Sequence, residues 1–314
     1  KSAGLSGTAA INHGGSDTEA VIGEAEDADG KTVTKEKTTL TNIADTNVEA
    51  TSSDTRLAVV GNVDIAGKVA LGGAVAYNDV GGAGTGEAGQ KTRAAMVNAA
   101  LTTTDAGKAS LHAADTSKLT TIGVGVGGAG KVAIQGGAAT ALVNKDITAE
   151  VKNSTIQAAE GGTTSDVSVT ADSKSTINTV AVAAAGSGTF AGGAGVSVNR
   201  IKQATTAAIT GGSQITDTDT LVQATGNNDI TSAGIGAAAA GNVGIAGNVA
   251  VNQIGNDVQA SVADSTLTST GNIGVLANGR EKLGNYAGAL GVSAFKGGAG
   301  IGVSVSSNEI TGNT

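Results

Sequence analysis

Apolar residues recur at every second position along this chain for four to six residues, then meet Gly, Asn, Asp or Ser. The run Ile177–Asn199 (INTVAVAAAGSGTFAGGAGVSVN) carries the pattern most clearly and is followed by Ile201. Versions of it recur at Leu57–Asn78, Ile122–Asn144 and Ala233–Asn252, and in looser form at Tyr286–Asn308. The decamers at 61–70 and 241–250 (GNVDIAGKVA and GNVGIAGNVA) agree at eight of ten positions, so the chain is built of repeats. A period of two belongs to strands, and no stretch sustains the 3.6-residue period of an amphipathic helix. The predicted class is all-β.

The marker residues Asn12, Asn78, Asn144, Asn199 and Asn252 and the Ser306–Asn308 stretch lie 66, 66, 55, 53 and about 54 residues apart. A more polar half follows each marker, with aligned Ser154-Thr-Ile156, Ser213-Gln-Ile215 and Ser265-Thr-Leu267. A V-x-V-x-A type pair then ends on Ala113, Ala171, Ala224 or Ala277. Short strands and tight turns divide a 53–55-residue unit into three coils of about 18 residues. The expectation is a single parallel β-solenoid, right-handed, of some 17 coils at roughly 4.8 Å each, a rod on the order of 80 Å long. Residues 1–53 read as irregular coils with an acidic loop, and residues 54–314 as one continuous rod. The 66-residue intervals predict insertions, one of them at 80–91.

Composition narrows the core. The chain has no Pro, Cys or Trp, and its aromatics are Tyr77, Phe190, Tyr286 and Phe295. Ala, Val and Gly must therefore fill a thin interior, without disulfides. A net charge of −8 argues against nucleic acid as a partner. No apolar window is long enough for a transmembrane helix. The opening KSAGLSG is not a signal peptide, so a processed or internal segment is expected.

Candidate chemistry is sparse. If the valines of the marker runs face inward, Ala181, Ala183, Ala185 and Ser197 face out. Either these small residues let coils turn tightly, or they form a flat self-association strip for another copy or a partner. Asp27, Asp29, Gly30 and Glu36 fall at positions 3, 5, 6 and 12 of a calcium-loop spacing whose first position is Ala25. Calcium is the one cofactor this spacing raises, and a solvated acidic loop is the competing account. His13 and His112 are isolated, and His112 is expected to point outward beside an inward Leu111. No catalytic arrangement is readable, so the chain is expected not to be an enzyme.

The segments INTVAVAAAGSGTFAGGAGVSVNRI (177–201) and STIQAAEGGTTSDVSVTAD (154–172) resemble the repeats of large Gram-negative exoproteins. They are similar to filamentous-haemagglutinin-type adhesins and, more closely, to leukotoxin-type filamentous adhesins, over roughly residues 55–310. The resemblance implies a long passenger exported by two-partner or autotransporter routes and folded as a β-helical fibre at the bacterial cell surface. It further implies adhesion to host cells, matrix or other bacteria. A self-assembling structural filament and a segment of a secreted cytotoxin stand beside that expectation.

Overall fold

The computed structural model describes residues 3–24, 37–82, 89–160, 162, 164 and 166–314. These form sixteen strands and no helix. In chain order they are β1 (Ala3–Gly14), β2 (Thr18–Gly23), β3 (Thr38–Ala66), β4 (Val69–Val80), β5 (Gln90–Val97), β6 (Ala99–Ala129), β7 (Val132–Lys152) and β8 (Thr155–Ala158). They continue as β9 (Asp166–Ser187), β10 (Phe190–Thr210), β11 (Gln214–Asp217), β12 (Asp219–Ala240), β13 (Val243–Val262), β14 (Thr266–Ser269), β15 (Ile273–Ser293) and β16 (Ala299–Thr311).

Two parallel sheets face each other. One runs β1-β4-β7-β10-β13-β16, with β2 joined to it through β5 on β7. The other runs β3-β6-β9-β12-β15, with β8, β11 and β14 extending from β6. The chain alternates between sheets, and each strand lies beside its equivalent from the neighbouring coil. This is a parallel β-solenoid.

The coil is far larger than the alternation predicted. Ala3 stands beside Val69, Val69 beside Val132, Val132 beside Phe190, Phe190 beside Val243 and Val243 beside Ala299. The steps are therefore 66, 63, 58, 53 and 56 residues, so one repeat makes one coil rather than three coils of 18. A 21-residue arm such as β10 reaches about 70 Å, whereas the stack rises only ~25 Å over its rungs. The molecule is a flat blade instead of a slender rod. Gly, Asn and Ser read as turn punctuation, yet they lie inside the long strands, and a chain without Pro keeps every ladder donor.

The expected boundary at 53/54 falls inside β3, and β1 pairs with β4 as an ordinary rung. The insertion expected at 80–91 narrows to 81–89, because Val80 stands opposite Val143 and Gln90 and Lys91 opposite Lys145 and Asp146.

One corner of the blade stacks positive-φ residues coil upon coil: Asn98, Asn153, Gly211 with Gly212, and Asp264. Their N–H groups tie successive coils, as in Asn98 N to Lys152 O at 3.0 Å and Asn153 N to Thr210 O at 3.1 Å. Beyond this corner the aligned Ile156, Ile215 and Leu267 stack in register, as do Ala113, Ala171, Ala224 and Ala277.

The interior is layered from this corner to the opposite one. Ile, Leu and Val fill the wide end, including Leu101, Leu111, Ile147, Ile209 and Ile215. A buried polar stripe follows, then a column of Leu119, Ile177, Ile201, Ile230 and Ile254. Past an asparagine layer small residues dominate, such as Ala70, Ala133, Ala191, Ala238 and Ala246, and larger ones such as Gln135 and Asn248 are buried where glycines face them. There the sheets nearly touch. A Cβ on Gly137 would lie 2.2 Å from the Val182 carbonyl oxygen, and one on Gly236 2.1 Å from that of Gly247.

Candidate functional site

The asparagine layer separates a wide half from a thin half. Asn12 donates to Asn78 Oδ1, Asn199 to Asn252 Oδ1 and Asn252 to Asn308 Oδ1, each at 2.8 Å. The facing sheet supplies a hydroxyl column: Asn78 and Asn199 each donate to a threonine, Thr121 and Thr179, at 2.8 Å, and Asn252 to Ser232 at 3.0 Å. Asn144 is not part of this ladder. Ala141 stands in register between Asn78 and Asn199, while Asn144 lies three residues on, beside Lys202. Asn199 Oδ1 is accordingly buried without a donor. The variant Ala141→Asn is expected to complete the ladder and raise stability by about 1 kcal/mol, the net worth of a buried hydrogen bond. A lowered midpoint in urea unfolding would contradict it.

The polar stripe holds a fully buried charge. In one sheet Gln90, Lys145, Gln203 and Asn256 form a column; opposite it, Ser52, Asp115 and Ser173 form another. Lys145 is 0 % exposed, and its Nζ donates to Asp115 at 2.5 Å and to Asp54 at 2.8 Å. Burial is the largest influence on Asp115 and holds its carboxyl above the usual range although Lys145 sits against it. At Asp54 burial also pushes upward, but Lys145 and Arg56 outweigh it and hold the carboxyl below the usual range. Lys145 and Asp115 are sealed from solvent while Asp54 reaches the wall of a shallow groove, so the triad ties the buried stripe to the surface and braces it. Sequence reading missed it; the one signal was a Lys at a rung position otherwise held by amides.

His112 does point outward beside the buried Leu111 and bonds Thr170 Oγ1 at 2.8 Å. His13 lies 3.1 Å from Asp79 at the first rung. Among the described residues no three His, Cys, Asp or Glu side chains gather as a metal site. The calcium candidates Asp27, Asp29 and Glu36 lie outside the described residues.

The self-association strip is inverted. Ala181, Ala183 and Ser197 are 0 % exposed and Ala185 6 %, all between the sheets. Opposite backbone rather than glycine the gap admits only small side chains, so the valines of this run are turned outward, and a one-residue change of phase exchanges the two faces. Both outer faces of the thin half are apolar as a result. One carries the columns Leu71, Ile134, Ile245, Ile301 and Val75, Val196, Val249, Val305. The other carries Val59, Ile122, Val180, Tyr286 and Val124, Val182, Ile235. Many are well exposed, Ile235 at 48 % and Ile134 at 45 %. Ionisable side chains occupy the wide half instead, where Lys174, Asp229, Arg280 and Lys282 line a shallow groove.

No family model, curated protein or solved structure matches the chain.

Proposed function

We propose that this chain is a non-enzymatic segment of an extracellular fibre that lengthens by adding coil upon coil and presents its charged half to partners. The observation that supports this reading is the ladder itself. Side-chain columns continue to both described edges, where Leu5, Ile11, Ile65, Leu290 and Ile301 stay exposed. A further coil, from the same chain or from a second copy, meets a matching strand and extends the asparagine column. The resemblance to filamentous adhesins supports placing the fibre at a bacterial cell surface, with host-cell or matrix receptors engaged by many weak, repeated contacts.

Sedimentation velocity over a wide concentration range tests the extension. Species should lengthen with concentration, and Ser304→Pro in β16, whose N–H faces away from β13, should cap growth by removing an edge donor. A single species at every concentration, unchanged by Ser304→Pro, would contradict edge addition.

A further inference from the structure

The thin half has a second property that a fibre does not require. It consists of paired ten-residue arms: 3–12, 69–78, 132–141, 190–199, 243–252 and 299–308 in one sheet. The other sheet contributes 57–66, 120–129, 178–187, 231–240 and 284–293. Across these eleven segments the one Lys, Arg, Asp or Glu is Asp64, which is buried between the sheets. Outward positions carry Val, Ile, Leu, Ala and Gly on both faces, with Thr, Ser or Asn confined to the end beside the asparagine layer. Ten strand residues span about 33 Å, and a membrane-crossing strand needs about 9–11 residues.

Both ends of this apolar slab are marked. Tyr77 and Tyr286 each adjoin a member of the asparagine layer, Asn78 and Asn285. Phe190 and Phe295 stand at the far corners, so all four aromatic residues of the chain lie at the slab's two boundaries. Exposed Lys68, Lys131 and Lys296 sit in those far corners, just beyond the apolar arms. Between the sheets are Asn, Ser, Thr, Gln, Ala and Gly, together with Val60 and Asp64. Apolar outside, small and polar inside, aromatic at both rims and cationic at the tip is the distribution of strands surrounded by lipid. No helix among the described residues is long and apolar enough to cross a membrane, a finding that leaves strands untouched.

We propose that the thin half embeds in a lipid bilayer, strands along the membrane normal, with the lysine corner reaching the far headgroups and the charged half in water. A second copy packed on the apolar faces would bury the same valines but gives no reason for aromatics at both rims or for a length matching hydrocarbon. Backbone groups are paired along each ladder except at the edge rungs. Hydrocarbon penalises open edges, so the inserted species is an edge-joined stack; that clause alone rests on the fibre reading.

The chain has no Trp, so single-tryptophan variants report location directly. With phosphatidylcholine vesicles, Val182→Trp should show blue-shifted emission quenched most by bromines deep in the acyl chains. Tyr286→Trp should be quenched most by shallow bromines, and Thr206→Trp, on the charged half, by neither. The native chain should float with vesicles in high salt, and Val182→Asp should lower the bound fraction about tenfold while Thr206→Asp leaves it unchanged. Protein that stays at the bottom of the gradient overturns the proposal. So does depth-independent quenching, or self-association through Val182 that vesicles do not alter. Growth without flotation leaves the fibre reading standing and sinks this one; flotation of a chain that stays monomeric in solution and joins edges only on vesicles sinks the fibre reading and supports this one.

Discussion

Lys145→Gln alone should cost the fold about 3–5 kcal/mol, because it strands the buried Asp115 carboxylate without its cation. The same substitution combined with Asp115→Ser should recover most of that loss. Neighbouring coils already show the paired solution: Gln90 and Gln203 flank Lys145 in its column, and Ser52 and Ser173 flank Asp115 in the facing one. The double variant therefore replaces an ion pair by the chemistry of adjacent rungs, and a double-mutant cycle should return a coupling energy comparable to the single loss. The pH dependence of Lys145→Gln has a fixed sign. Asp115 already titrates above the usual carboxylate range through burial, and losing Lys145 raises it further. A folded pKa above the unfolded one stabilises at low pH and loses that contribution as pH rises through the folded value. Lys145→Gln should thus regain stability on acidification into the carboxylate range. Additive single effects in urea unfolding would show that the triad is not coupled.

Gly137→Val should be comparably damaging, at about 3 kcal/mol or more, while Gly136→Ala should be neutral or stabilising by about 0.4–1 kcal/mol. These adjacent glycines differ only in face. A Cβ on Gly137 meets the Val182 carbonyl oxygen at 2.2 Å and the Gly123 carbonyl oxygen at 3.1 Å. Backbone cannot swing aside as a side chain can, so the sheets must part. At Gly136 nothing lies within 4 Å of the added atom, and Ala only removes freedom from the unfolded chain. Equal effects at the two positions, read from thermal unfolding, would put the wrong face inward.

The strand class, the repeat and several rung columns were legible in the chain, because stacked equivalents must match chemically. Ala113, Ala171, Ala224 and Ala277 align in the sequence and stack in the fold. Coil size was not legible. A strand glycine and a turn glycine carry the same letter, and what permits Gly125 inside a long arm is the Gly136 backbone 2.3 Å from its missing Cβ. Face assignment failed for a related reason. Large apolar residues ordinarily mark the inside, yet two backbones this close leave room mostly for Ala, Gly and Ser, and most of the larger apolar residues go outward. The usable signal was size variance: positions alternating with Ala181, Ala183 and Ala185 hold Val, Ile, Leu or Tyr in other coils, which a narrow gap would not tolerate. Asn144 misled because the coil length changes locally, leaving a similar L-V-N motif three residues beyond the ladder.

That one repeat forms one wide coil is best tested by a single distance across β10. The chain lacks Cys, so Gly192→Cys and Thr210→Cys can each carry a spin label on the outer face. These positions lie 18 residues apart in one strand, which predicts about 59 Å between them by pulsed electron resonance. Coils of 18 residues would instead stack the same two positions on neighbouring rungs, roughly 5 Å apart. A long distance supports the blade, its thin apolar half and everything derived from them; a short one contradicts the fold described here.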